Sequence, residues 1–129
     1  MKKLSLLLVF AMTAGFLSCN REDAIEPSAD FTTSIENNTL APGQGFTVYL
    51  DNVQGEFLVY FRGHNEQSTY DPDDPRRTGA NVSTESESVE IPGYPSAGEY
   101  VFTMVASSSG NWAKDYLQDV KSITITVTN

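Results

Sequence analysis

The sequence predicts an all-β fold, an antiparallel β-sandwich of about seven short strands. Three observations carry that expectation. Apolar residues recur at every second position in several segments, the period of a strand with one face inward. Turn residues such as Pro42-Gly43-Gln44-Gly45, Asp51-Asn52 and Pro92-Gly93 break these segments at short intervals. No convincing helix stands out; Lys114–Val120 is the one stretch where a single helical turn is expected.

At 129 residues the chain is long enough for one domain. Its first part is not read as domain. Met1-Lys2-Lys3 is a basic start, and Leu4–Phe16 is an apolar run of signal-peptide length. It is shorter than the roughly 20 apolar residues of a membrane-crossing helix. Leu17-Ser18-Cys19 closes it and resembles a bacterial lipobox: an aliphatic residue, a small one, then cysteine. The resemblance implies that residues 1–18 are a signal peptide cleaved before Cys19. It also implies diacylglycerol on the Cys19 sulfur and a fatty acyl chain such as palmitate on its amine. The alternative is an ordinary secretory signal that happens to contain a cysteine. Cys19 is the sole cysteine, so no intrachain disulfide can form, and a lone free thiol in a secreted chain would be unusual. Two or more acyl chains hold a protein to a membrane firmly, where one holds it marginally.

Cys19-Asn20-Arg21-Glu22-Asp23 resembles the short export signal of Bacteroidetes-type lipoproteins, with arginine where lysine is commoner. On that resemblance Arg21, Glu22 and Asp23 direct the protein to the outer face of the outer membrane. Chance acidity, with the protein on the periplasmic leaflet, is the alternative. Residues 19–29 then form the lipidated cysteine and a tether. Ala24–Ala29, with Pro27, is expected to be extended rather than packed and to span about 20 Å. Residues 30–129 are the domain.

The chain carries a net charge of −9. Loss of Lys2 and Lys3 with the leader leaves 6 basic against 17 acidic residues, a net of −11. That argues against nucleic acid, whose phosphates call for a basic surface. It argues equally against electrostatic adhesion to anionic lipid. Solubility is the plainer explanation of the charge.

Within the domain, Phe31, Thr33 and Ile35 alternate with polar residues as a first edge strand, and Asn37-Asn38 marks a turn or bulge. Phe46, Val48 and Leu50 form a half-buried second strand. Phe57–Phe61 is a continuous apolar run whose length suits a strand covered on both faces. A long polar stretch, Gly63–Thr84, precedes a weaker strand over Ser86–Ile91, with Val89 and Ile91 inward. The stretch from Ile91 to Ser107 organises the rest. After its Pro and Gly turn, Tyr100, Phe102, Met104 and Ala106 fall on one face and Val101, Thr103 and Val105 on the other. Such a strand is expected at the centre of a sheet. The last strand, Val120–Thr128, puts Ile123, Ile125 and Val127 inward, with threonines opposite. The expected core is Phe31, Phe46, Val48, Leu50, Leu58, Tyr60, Val89, Ile91, Tyr100, Phe102, Met104, Ile123, Ile125 and Val127.

Tyr100, entering its strand after Ala97-Gly98, resembles the tyrosine corner of Ig-like sandwiches, in which the hydroxyl bonds upstream backbone. The alternative is a core tyrosine with no special bond. Three segments make the chain similar to PKD-like domains, an Ig-like family of bacterial surface proteins: Ala29-Asp30-Phe31, Tyr94–Phe102, and Ser122–Val127. Typical members carry Trp-x-Phe-Gly-Asp-Gly on the middle strand; here Val59–Asn65 keeps only an aromatic pair and the glycine. The resemblance implies an Ig-like or PKD-like fold and a surface location, in a divergent branch, and names no ligand.

The inventory for catalysis is thin. His64 is the sole histidine, and no Gly-x-Ser-x-Gly, His-Glu-x-x-His or phosphate-cradling glycine loop is present. A lone histidine after Arg62-Gly63 reads as a solvated loop residue. A site needing several histidines or cysteines cannot be assembled, so no metal and no cofactor is expected. Asp71-Pro72-Asp73-Asp74-Pro75 is dense in oxygen ligands, but it lacks EF-hand spacing. It reads as a solvated turn that Arg76 and Arg77 partly neutralise, with calcium as the alternative. Trp112, Tyr70, His64 and Tyr94 are the candidate ligand contacts, since loop aromatics stack on sugar rings or anchor protein interfaces; the alternative is that they cap the core. The function expected is a non-enzymatic surface module that binds a glycan or a partner protein through its loops. A spacer or assembly subunit of an outer-membrane complex with no soluble ligand is the alternative, and a hydrolase built on His64 a remoter one. The segment Gly63–Thr84 is expected to lie over one sheet edge and to hold the binding site with Trp112, because structureless loops of that length tend to be functional.

Overall fold

The structure, a computed structural model, describes residues 25–109 and 116–129. Every regular element among the described residues is a strand. In chain order these are β1 (Ser28–Ala29), β2 (Thr32–Thr33), β3 (Thr39–Leu40), β4 (Phe46–Tyr49), β5 (Val53–Gln54), β6 (Phe57–Phe61), β7 (Ala80–Val82), β8 (Ser88–Ile91), β9 (Gly98–Ser109) and β10 (Tyr116–Val127). They form a five-stranded sheet in the order β3-β10-β9-β6-β7, a three-stranded sheet β2-β4-β8 and a two-stranded pair β1-β5. All pairings are antiparallel except β3 with β10, which run parallel. The strands beyond the seven expected are two or three residues long, too short to leave a period-two trace in a sequence.

β9 is the middle strand of the larger sheet, and Phe102–Ser108 is buried on both faces, as its two apolar faces require. It pairs along its whole length with β10, from Gly98 opposite Val127 to Ser109 opposite Tyr116. This ladder corrects the expectation of a helical turn at Lys114–Val120: Tyr116–Val120 are strand. A dozen cross-strand pairs outweigh the weak local preference of that segment.

The core cluster draws on both larger sheets. Phe46, Val48 and Ile91 come from the three-stranded sheet, and Leu58, Phe102, Met104, Ala106, Ile125 and Val127 from the five-stranded one. Phe102 is its aromatic hub. Its ring meets the edges of Phe31 at 5.4 Å and Phe46 at 5.7 Å, and stacks with Tyr60 at 5.6 Å. Ala29 and Leu40 also lie in this core, beyond the residues the sequence patterns pointed to, as do Tyr94 and, on the Phe102 face of β9, Ala106.

Two further expectations are corrected. Ser28 and Ala29, read as tether, form β1: they pair with Gln54 and Val53, and Ala29 is buried, its amide donating to Asp119 Oδ2 at 2.7 Å. The packed part therefore begins two residues before Asp30. β6 is not covered on both faces. Leu58 points to the core, but Phe57 is 58 % exposed on the opposite face. That face is closed only at the Phe61 end, where Tyr70 sits edge-on to the Phe61 ring at 5.3 Å. At Asn37 and Asn38 the backbone takes positive φ, 53° and 54°, a conformation asparagine tolerates better than most residues, so the turn read there is present.

Candidate functional site

The segment between β6 and β7 is the longest connection among the described residues, and it is ordered by polar bonds rather than by apolar packing. Gly63 begins it with φ +74°, where an added Cβ would run into the Val101 carbonyl; only glycine lets the chain leave β6 so close to β9. Asn65 and Ser68 then bond reciprocally. The Ser68 amide donates to Asn65 Oδ1 at 2.8 Å and the Asn65 amide to Ser68 Oγ at 3.2 Å, while Thr69 Oγ1 donates to the Asn65 carbonyl at 2.7 Å. Asn and Ser stabilise turns in this way because their short side chains reach nearby backbone. The two limbs of the segment are tied by the Thr78 amide to the Gln67 carbonyl at 2.9 Å and by Gln67 Nε2 to Thr78 Oγ1 and the Arg76 carbonyl. The segment then runs into β7 through Gly79, packed so closely on Val59 and Tyr60 that no side chain would fit.

Arg77 lies at the centre of the ion pairs. Its Nε donates to Asp74 Oδ2 at 3.1 Å, its Nη1 to the Glu66 carbonyl, and its Nη2 lies 3.6 Å from Glu66 Oε1 and 3.9 Å from Asp71 Oδ2. Arg76 Nε donates to Asp74 Oδ1 at 3.0 Å. The Asp74 carboxyl is thereby held below the usual carboxylate range, first by the Arg76 side chain, then by the Arg76 amide, with Arg77 adding to both and burial opposing them. Asp71 Oδ1 accepts from the Asp73 amide at 2.9 Å. A calcium ion in the Asp-Pro cluster would have to displace guanidinium groups from Asp74. Among the described residues no cluster of three or more metal-ligating side chains occurs.

Two clefts flank the segment. One, of about 460 Å³, is lined by Asn65, Glu66, Gln67, Asp74, Arg76 and Arg77. It lies within the range of small-molecule sites, roughly 300–1,000 Å³. The other, of about 190 Å³, has Tyr60, Gly79 and Ala80 as its apolar part and Arg62, His64, Ser68 and Thr78 as its polar part. His64 Nδ1 lies 2.9 Å from Ser68 Oγ. Partial burial, and then the Arg62 charge, lower the imidazole pKa, so at neutral pH the ring is uncharged, and its tautomer sets which of the two atoms donates. Among the described residues this is the only hydrogen bond of His64. The pair is a short-range staple within one turn.

His64 and Tyr70 both lie in this segment but at different places, His64 lining the smaller cleft and Tyr70 edge-on to Phe61. Tyr94 is placed elsewhere: it is 0 % exposed, and this corrects its reading as a ligand contact. Its ring stacks on Tyr100 at 4.2 Å and on Phe46 at 6.4 Å, and its hydroxyl donates to the Arg62 carbonyl at 2.8 Å. Burial pushes the phenol up to about 12. Arg62 answers by lying over the Tyr94 ring, 5.2 Å from its centroid, and donating from Nη2 to the carbonyls of Gly93 at 2.7 Å and Pro92 at 3.2 Å. Tyr100 does bond upstream backbone, its hydroxyl donating to the Ser96 carbonyl at 2.7 Å. Cys19, Arg21, Glu22, Asp23 and Trp112 lie outside the described residues. Sequence reasoning passed over Asn65, Gln67 and Arg62 as site residues; Asn65-x-x-Ser68 was the one local signal available, a spacing typical of side-chain-closed turns.

The fold and site together define an all-β protein with an ordered polar loop at one sheet edge. No protein-family model, curated protein or solved structure matches the chain.

Proposed function

We propose that this protein is a lipid-anchored, non-enzymatic module displayed on the outer membrane, and that it binds a glycan through residues 63–79. The observation that carries the reading is the larger cleft. Its walls are two side-chain amides, two carboxylates and two guanidinium groups, held in place by the loop's own bonds. Such planar donors and acceptors match the paired hydroxyls of sugars, and their prior ordering lowers the entropy lost on binding. The scaffold is an Ig-like β-sandwich of PKD-like type. The shared core of the two larger sheets and the Tyr100 hydroxyl bond support that assignment. The anchor rests on the lipobox at Leu17-Ser18-Cys19 and the surface address on Arg21, Glu22 and Asp23.

A glycan array, run beside a pull-down from envelope extract, tests the binding reading. Wild-type protein is expected to give glycan hits, and a variant with residues 66–79 replaced by a Gly-Ser link is expected to lose them while keeping its fold. Stable protein partners with no glycan hit would instead support an assembly subunit. Unfolding of the loop variant would show that the segment is part of the framework. For the anchor, Cys19→Ala is expected to release a soluble domain or stall the precursor. Replacing Arg21, Glu22 and Asp23 with alanine is expected to keep lipidation and remove protease accessibility on whole cells.

A further inference from the structure

The exposed apolar side chains are unevenly placed. Phe57 (58 % exposed), Ile25 (52 %) and Val120 (39 %) lie toward the end of the molecule where the chain enters it, while Tyr49 is exposed on the three-stranded sheet and Val101 (43 %) at the other end of β9, beside Gly63. The register shows this. Phe57 is opposite Ser107 and Ser107 opposite Gln118, so these three form one row across β6, β9 and β10. The next row is Val59, Val105 and Val120. Cross-strand partners share a face, so Phe57, Val59, Val105 and Val120 lie on the face away from the core, across three strands about 10 Å wide; Val105 is buried between its neighbours and Val59 half-buried, which leaves Phe57 and Val120 as the exposed members. The entering chain lies against the same end. Gln54 Nε2 donates to the Glu26 carbonyl at 2.7 Å, the Ala29 amide bonds Asp119, and Lys121 Nζ donates to Asp30 Oδ1 at 3.0 Å and to the Phe31 carbonyl at 2.8 Å. Leu117, exposed on the opposite face, lies at this end too.

We infer that this end of the domain rests on the membrane, with Ile25, Phe57 and Val120 in the interfacial layer of a bilayer of mostly uncharged headgroups. The inference rests on the lipid-anchor reading of Cys19. Ile25 is six residues beyond Cys19, so the intervening chain reaches at most about 20 Å when fully extended. An anchored cysteine therefore keeps Ile25, and the end of the domain that carries it, within one short tether of the lipid. Once the domain is held there, the entropy of association is already met by the anchor, and partial burial of a few apolar side chains is enough to favour contact. The exposed Glu26 and Glu56 are the chain neighbours of Ile25 and Phe57, so anionic headgroups would oppose the contact, and the lipid selected is zwitterionic. The 63–79 loop leaves β6 from the opposite end of that strand, so this posture directs the proposed glycan site away from the membrane.

The test uses the full lipidated chain in phosphatidylcholine vesicles. Because acylation consumes Cys19, a single cysteine introduced by Phe57→Cys or Val120→Cys carries the only thiol for an environment-sensitive dye; Arg76→Cys is the control. Circular dichroism checks each variant for folding, and a variant that unfolds is replaced by Ile25→Cys. The expected result is at least twofold stronger quenching by doxyl-labelled lipid at position 57 or 120 than at 76, weakened when about a third of the lipid is anionic. Equal, weak quenching at all positions in a protein that mass spectrometry shows to be lipidated overturns the inference and leaves the anchor intact. A dye shielded from water without lipid quenching also overturns it, and points to a second copy of the chain on this face. Absence of lipid on Cys19 removes the anchor reading itself and the inference with it.

Discussion

Two arginines hold the ends of the 63–79 loop, and they do so by opposite physics. Arg62 sits at the loop's start with its charge over an aromatic face and its donors on backbone carbonyls. Its Nε is buried and has no hydrogen-bond partner among the described residues, yet its own carbonyl accepts the Tyr94 hydroxyl, so the loop's root is tied to the core. Arg77 sits near the loop's end and is held by three carboxylates, of which Glu66 is 90 % exposed. The first arrangement depends on packing and changes little with salt. The second is electrostatic, is weakened by screening ions, and ties the loop mainly to itself. A loop can therefore be shaped independently of the domain that carries it while its root stays fixed.

The comparison breaks most sharply at Tyr94. Tyr94→Ala removes the platform under Arg62 and the stacking on Phe46 and Tyr100, and is expected to destabilise the whole domain by about 3–5 kcal/mol, the range for large aromatic truncations in a core. Denaturant unfolding measures it; a loss well under 1 kcal/mol would mean that the Arg62 end is not part of the core. Tyr94→Phe is milder. It leaves the Arg62 carbonyl without its donor and is expected to lose about 1–2 kcal/mol. It also carries a pH signature. A phenol raised from 10.0 to about 12 in the folded state gives stability that is fully present below about pH 10 and is lost as pH rises through about 12. Wild type should show that alkaline decline, and Tyr94→Phe should lack the part due to this residue.

At the other arginine the expected effect on global stability is small, about 0–1 kcal/mol, because Glu66 is exposed and the better covered pair with Asp74 lies wholly within the loop. Arg77→Ala should leave the unfolding midpoint nearly unchanged while amide exchange in residues 63–79 speeds up several-fold. A cooperative loss of the whole domain would erase the distinction between the two ends. Smallest of all is the acid effect. Because the Asp74 carboxyl is held below the ordinary range, its contribution is present above about pH 4 and is lost as pH falls through the lower folded value. Pepsin cleavage within the loop should accordingly begin only in stronger acid, and high salt should bring its onset to a higher pH.

How far these regions were legible in the sequence follows the same division. Strand interiors such as Phe102, Met104 and Ile125 announce themselves because alternation is a local property. Tyr94 lies between Gly93 and Pro95 in no strand at all, and its burial depends on Arg62, 32 residues away. Ala29 and Leu40 are single apolar residues in two-residue strands, and pairing alone assigns them to the core. In the candidate site, the location of the loop could be read from its length and polarity, and His64 and Tyr70 from their residue types. The partners of Arg62 and Arg77 include the carbonyls of Pro92, Gly93 and Glu66. Any residue supplies a carbonyl, so no sequence pattern records which ones folding will bring near.

The parallel pair β3–β10 bears on how the domain would behave under tension. Thr39 and Leu40 lie opposite Thr126 and Val127, and the Thr126 and Thr128 amides donate to the Asn38 and Leu40 carbonyls at 2.8 and 3.0 Å. A pull on the two ends of the described chain would reach the antiparallel pairs β1–β5 and β2–β4 first, and these are only two residues long. The remaining force would then draw β3 and β10 along their axes in opposite directions, loading their bonds together in shear instead of one after another. Two residues of parallel strand thus act as a mechanical clasp, a property that equilibrium unfolding would not reveal.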